Sequence, residues 1–193
     1  EAGVRTQRDL IGKRVDIGPP ASGRNATVRG MLAALETGPD AFAEILELPA
    51  ARSVEALCAG RIDAAVLVIG HPSRVVTDAM ARCGATVAAV TGPRIEAMTA
   101  RAPYFLADAV PAAAYPGMTE DAPSIGIAAF LMTRADMPAP VVEAVTAVLI
   151  ERGAALGRAT PLLSRLAPGL MRLGAGATPL HPGAEAAFAG RAR

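Results

Sequence analysis

The sequence has no block of like charge: 19 basic and 18 acidic side chains are interspersed along 193 residues, and the formal net charge is +1. The electrostatic footprint of a nucleic-acid-binding surface is missing, so no nucleic-acid partner is expected. There is also no run of about 18 consecutive apolar residues, the length a bilayer-spanning helix needs. The richest stretch, residues 62–69, is short and contains Asp63, so the chain is expected to be soluble. Cysteine and histidine are scarce, with two of each. Cys58 and Cys83 lack a CxxC spacing and have no histidine cluster beside them, which speaks against zinc. His71 and His181 lie far apart and outside any HExxH pattern. A P-loop ending, GxGxxG and GxSxG are all absent. No catalytic residue, metal ligand or cofactor is therefore assigned. Aromatic residues make up 3%, and Lys13 is the one lysine; neither fact identifies a function. The chain starts at Glu1 without a charged n-region and apolar h-region, so a signal peptide is either absent or already removed.

What is present is ample apolar material, 52% of residues, enough for a buried core. The stretch "RVDIGPPASGRNATVRGMLAAL", residues 14–35, shows how it is deployed. Val15 and Ile17 alternate with Arg14 and Asp16 as in a strand, while Val28, Met31, Leu32 and Leu35 share one helical face. Residues 18–23 therefore join a strand to a helix. Two prolines fix this loop, Gly23 permits close approach, and Ser22 or Asn25 can cap, so free N–H groups at the positive end of the helix dipole face a potential anion.

The same alternation continues. Residues 44–48 read as a strand, 53–59 as a short helix ended by Gly60, 62–69 as a buried strand broken at Gly70, 73–82 as a helix and 86–90 as a strand. This predicts an α/β unit with a largely parallel sheet, whose ligands favour the carboxyl ends of the strands, marked by Gly18 and Gly70. A helix over 93–101 follows. Residues 102–126 have no clear periodicity and read as a crossing segment, with a second segment beginning near Pro111. Residues 124–133 read as a strand. Asp136, Met137 and Pro138 start a helix with an apolar stripe of Val141, Val142, Val145 and Leu149. The tail, with Pro161, Pro168, Pro179 and Pro182, reads as short helical pieces. Cys58 and Cys83 each fall near the end of a helix that precedes a strand, at one edge of the sheet. A disulfide and a pair of buried free thiols both fit that placement.

Four side chains carry a functional and a plain reading. Ser22 is a hydroxyl donor to a ligand carboxylate or simply an N-cap. Arg24 is a bidentate carboxylate clamp or a solvated side chain in the first helical turn, where a cation opposes the dipole. His71 donates to a ligand from a strand end or is a loop histidine beside Pro72. Tyr115 places its hydroxyl in a cleft or anchors a Pro-Gly turn.

Four motifs in order resemble one family. "DLIGKRVDIGPPASG" resembles an entry segment "DLKGKRVSVGxPGSGT", "GRIDAAVLVIGHPS" resembles "GxIDAAFxxxGxP", "VPAAAYPGM" resembles "IPAGTYPGQ", and "PLHPGAE" resembles the C-terminal motif of TAXI-type solute-binding proteins. The resemblance runs from about Asp9 to Glu185. It implies an α/β fold similar to type II periplasmic binding proteins, whose two lobes close on a small ligand and deliver it to a TRAP membrane transporter. Residues 1–102 would be one complete parallel-sheet lobe, the second of such a protein, 103–123 the interlobe crossing, and 124–193 the C-terminal part of the first lobe, with the family's N-terminal part not in this sequence. The crossing near residues 110–117 would bend on closure. The implied location is periplasmic, and the implied ligand is a small carboxylate of the glutamate or 2-oxoglutarate class, with no enzymatic activity. Ser22, Gly23, Arg24 and Asn25, then Gly70, His71 and Pro72, and finally Tyr115 would line the site. Arg24 stands where the motif usually has Thr, and "AAA" precedes Tyr115 where "AGT" is usual. An enzyme, or the effector-sensing domain of a regulator, built on the same two-lobe fold is the alternative.

Overall fold

The computed structural model describes residues 3–102, 104–172 and 179–190. The outermost residues of the expected lobes, 1–2 and 191–193, and Pro103 at the start of the expected crossing lie outside these. The protein is α/β. Its chain divides into two compact units, the first ending at Gly126 and the second starting at Ile127.

The first unit is built on a three-stranded sheet in the order β2-β1-β3: β1 is Arg14–Asp16, β2 is Glu44–Leu46 and β3 is Ala64–Ala65. Both pairings of β1 are parallel, with Val15 opposite Ile45 on one side and Ala64 on the other. Helix α1 (Gly23–Ala34) connects β1 to β2 and helix α2 (Ala50–Cys58) connects β2 to β3. Such parallel neighbours need helical crossovers. Strand alternation sends Val15 and Ile17 to one face of the sheet and Asp16 to the other. Val15 and Ile17 enter a core with Val28 and Met31 of α1, Ile95 and Met98 of the later helix α4 (Pro93–Arg101), Leu10 and Phe105. Gly60, at φ +67°, closes α2 as expected, with its amide on Leu57 O and that of Arg61 on Ala56 O.

Several expectations are corrected here. Of residues 62–69 only Ala64–Ala65 pair as a strand, because β1 ends at Asp16 and beyond Val66 there is no strand to join among the described residues; Val68 and Ile69 are exposed. Residues 86–90 contribute one isolated parallel bridge, Thr6 to Ala89. The region without periodicity contains strand β4 (Phe105–Val110), paired with β5 (Ala122–Ile127). Helix α3 (Arg74–Cys83) starts and ends within a residue of its expected bounds. Cys58 and Cys83 are joined in a disulfide, Cα atoms 5.1 Å apart, tying the ends of α2 and α3 and resolving the open choice.

In the second unit, α5 (Ala139–Ala159) packs along α7 (Pro182–Ala189), after a short α6 (Pro168–Met171). Gly183 lies so close to α5 that a Cβ there would collide with Ala139 O. The expected stripe holds in part: Val142 and Leu149 are half-buried, whereas Val141 and Val145 are exposed, and the residues α5 buries fully are Thr146, Ala147 and Gly153. Small side chains let the helix backbones approach, which apolar spacing alone does not reveal. No helix among the described residues is long and apolar enough to cross a membrane.

At the amino edge of the sheet Asp63 accepts from the Arg14 side chain, Nη2 to Oδ1 at 2.7 Å and Nε to Oδ2 at 3.1 Å, and from the Arg14 amide at 2.8 Å. The Arg14 guanidinium, followed by its amide, pulls the Asp63 pKa down to about 2. A carboxylate whose pKa is lower folded than unfolded stabilises the protein above its unfolded pKa, about 4, and loses that contribution as pH falls through the folded value. The stability gap between wild type and Asp63→Asn is therefore expected to shrink as pH falls from about 4 to about 2. Urea unfolding across that range checks it; a constant gap would contradict it.

Candidate functional site

Parallel α/β sheets bind ligands beyond the carboxyl ends of their strands. Here two such ends are adjacent: β1 leads into residues 18–23, and β3 leads towards residues 70–72. In the first loop Pro20 and Ala21 occupy the centre of a turn closed by the Ser22 amide on Pro19 O at 3.2 Å, and Ala21 has φ +60°. Proline before a positive-φ residue is the pattern of a type II turn, in which glycine is usual at the second position. Ser22 then caps α1: its Oγ accepts from the Asn25 amide at 3.1 Å and donates to Pro19 O at 2.7 Å. Gly23 is the exposed first residue of α1. The amides of Gly23 and Arg24 have no acceptor among the described residues, so both remain available at the positive end of this 12-residue helix. Asn25 is buried, with Nδ2 donating to Gly18 O at 2.8 Å and to Glu47 Oε1 at 2.9 Å, and Oδ1 accepting from Arg29 Nε at 2.7 Å.

Arg24 turns inward, against both sequence readings. Its side chain is 10% exposed and pairs with Asp16, which is 0% exposed, at 2.6 Å. Nη2 also donates to Asp16 O, Nη1 to Leu48 O and Ser53 Oγ, and Nε to Val66 O. A guanidinium has five N–H donors, and these five contacts engage all of them. The side chain thus bridges the exits of β1, β2 and β3, and leaves no N–H for a bidentate carboxylate. Gly18 makes room for it: at φ +92°, a Cβ there would meet Arg24 Cδ at 2.7 Å. Asp16 is the centre of this network. Burial pushes its pKa up, but hydrogen bonds from Ser53 Oγ, the Leu48 amide, Arg24 and the Gly18 amide prevail and hold it below the usual carboxylate range.

The sequence reading missed Asp16 and Ser53. The available signal was an acidic residue inside an apolar strand with a lone arginine in the following helix turn, a pair that must be neutralised if buried.

The second loop holds Gly70, His71 and Pro72, and Tyr115 meets it from the segment between β4 and β5. The His71–Pro72 peptide is cis; Gly70 and Pro72 are exposed, and His71 is half-buried. Tyr115, 2% exposed, lies with its hydroxyl 2.6 Å from His71 Nδ1 and 2.9 Å from the Ser73 amide. The rings meet edge to face at 5.6 Å. Burial lowers the His71 pKa against the opposing charge of Asp108, and raises that of Tyr115.

Two cavities, of about 320 Å³ beside Arg94, Arg101 and Tyr104 and about 310 Å³ beside Arg8, Leu10 and Phe42, lie near the C-terminal end of α1. That end returns to the amino edge of the sheet, and neither cavity is lined by a residue of the two loops or of the Asp16 network. The topology, rather than cavity size, places the candidate site at the carboxyl edge, where an α1 N-terminus and a Tyr-fixed histidine leave adjacent strands. Such an edge suits the holding of a small solute, and comparison of the sequence with known families agrees in kind: over residues 1–189 the chain matches the NMT1-like family, to which it belongs and which is related to the periplasmic binding proteins of transporters.

Proposed function

We propose that this protein is the extracytoplasmic solute-binding component of a TRAP-type transporter, binding a small carboxylate of the glutamate or 2-oxoglutarate class and delivering it to the membrane permease. The observation that carries the reading is the pair of loops leaving β1 and β3 side by side, one ending in the unpaired amides of Gly23 and Arg24 and the other in His71. Helix N-termini favour anions because unpaired N–H groups and the dipole point the same way. Ser22, Gly23, Arg24 and Asn25 shape the first loop, Arg24 through its backbone amide, and Gly70, His71, Pro72 and Tyr115 the second. Residues 1–102 serve as the second lobe, 103–123 as the crossing and 124–193 as part of the first. Family membership favours binding over turnover. The Cys58–Cys83 disulfide supports an oxidising compartment such as the periplasm.

Calorimetric titration with glutamate, 2-oxoglutarate and other mono- and dicarboxylates tests this. Saturable one-to-one binding is expected, without chemical change of the ligand. Binding confined to cationic or neutral solutes, or turnover of a carboxylate, would overturn it.

A further inference from the structure

The hydroxyl of Tyr115 has one proton to give, and its surroundings decide where it goes. The oxygen accepts from the Ser73 amide at 2.9 Å, and among the described residues the other polar atom within reach is His71 Nδ1 at 2.6 Å. At 2% exposure the phenol is out of water, and a buried donor without an acceptor is costly. The proton therefore points at Nδ1, which must be unprotonated to accept it. That leaves the proton of the neutral ring on Nε2. Nε2 has no hydrogen bond among the described residues, and no described buried side-chain nitrogen or oxygen lacks a partner, so Nε2 opens to the surface of the second loop.

We propose that Ser73, Tyr115 and His71 form a relay that fixes His71 in its neutral Nε2–H tautomer and presents that N–H as a hydrogen-bond donor to a carboxylate oxygen of the bound solute. Tyr115 is a positioning residue in this scheme, acting through the imidazole. The charged and titratable groups facing His71 fit a neutral ring. Asp108 of β4 favours the cation, but burial outweighs it, and Tyr115 would have to turn its proton away from a protonated Nδ1, stranding a buried donor. The inference rests on the carboxylate reading above.

Long-range proton–nitrogen correlation spectra of the uniformly labelled protein at pH 8 read the tautomer directly, with His71→Gln identifying its signals against those of His181. The expected spectrum shows Nδ1 unprotonated and Nε2 carrying hydrogen, and titration with glutamate or 2-oxoglutarate moves the Nε2–H resonance. In Tyr115→Phe, His71 is expected to show both tautomers and carboxylate affinity to fall about five- to tenfold, as for the loss of one oriented neutral hydrogen bond. The wild-type spectrum requires no variant to fold. A proton on Nδ1 in the wild type overturns the relay. Carboxylate binding that leaves Nε2–H unmoved overturns the inference alone, whereas the expected tautomer with no carboxylate binding overturns the carboxylate reading and the inference with it.

Discussion

Replacing Arg24 by Thr is expected to lower the folding stability of the first unit by about 3 to 5 kcal/mol, the usual cost of removing one partner from a buried ion pair. The variant strands Asp16, 0% exposed, with its charge uncompensated, and removes donors from the carbonyls of Asp16, Leu48 and Val66 at the exits of all three strands. Asp16→Asn should be costly for the mirror reason, since it leaves the guanidinium buried without a carboxylate. The double variant should lose less than the sum of the two, with a coupling energy of about 0.5 to 3 kcal/mol for residues in one network. The chain has no tryptophan, so urea unfolding is best followed by far-UV circular dichroism. A stability change within about 0.5 kcal/mol, the range of surface substitutions, would show that Arg24 is solvated after all. If stability held and carboxylate affinity fell instead, the side chain would be a ligand clamp.

Removing the Cys58–Cys83 crosslink is expected to cost about 3 to 4 kcal/mol, from the chain entropy released when a loop of this length opens in the unfolded state. The two cysteines are 25 positions apart, and the bridge joins the last turns of α2 and α3, holding together two helices that flank β3. Paired Cys58→Ser and Cys83→Ser substitutions, compared with wild type in the presence and absence of reductant, separate the crosslink from the side chains. Reductant should lower the urea midpoint of wild type and leave that of the double variant unchanged. Equal midpoints for wild type under both conditions would mean that the bridge contributes nothing to folding. Because cytosolic thiols are kept reduced, a large effect would tie full stability to an oxidising compartment.

The sequence by itself determined those features that local pattern controls. Alternation at Val15 and Ile17, the spacing of Val28 and Met31, Gly60 after α2 and Pro93 at the head of α4 specify elements that need no distant partner to be recognised, and each stands where expected. Ser22 as an N-cap belongs with them, because a cap bonds within its own turn. Strand extent was different. A strand lasts only as long as its neighbour, and residues 62–69, for all their apolar character, stop pairing where β1 does. The disulfide, too, waited on the tertiary structure, since spacing cannot tell whether two thiols at one sheet edge come within bonding distance. The side-chain partners of Arg24 and Tyr115 depend on the tertiary structure in the same way. A guanidinium in a first helical turn can face water, ligand or core, and here the buried charge of Asp16 at the end of β1 draws it inward. A tyrosine in a crossing segment can point anywhere, and here the Ser73 amide and His71, more than 40 residues away in sequence, fix its hydroxyl. Local chemistry is written in neighbouring residues, whereas the pairing of distant polar groups depends on which of them folding removes from water together.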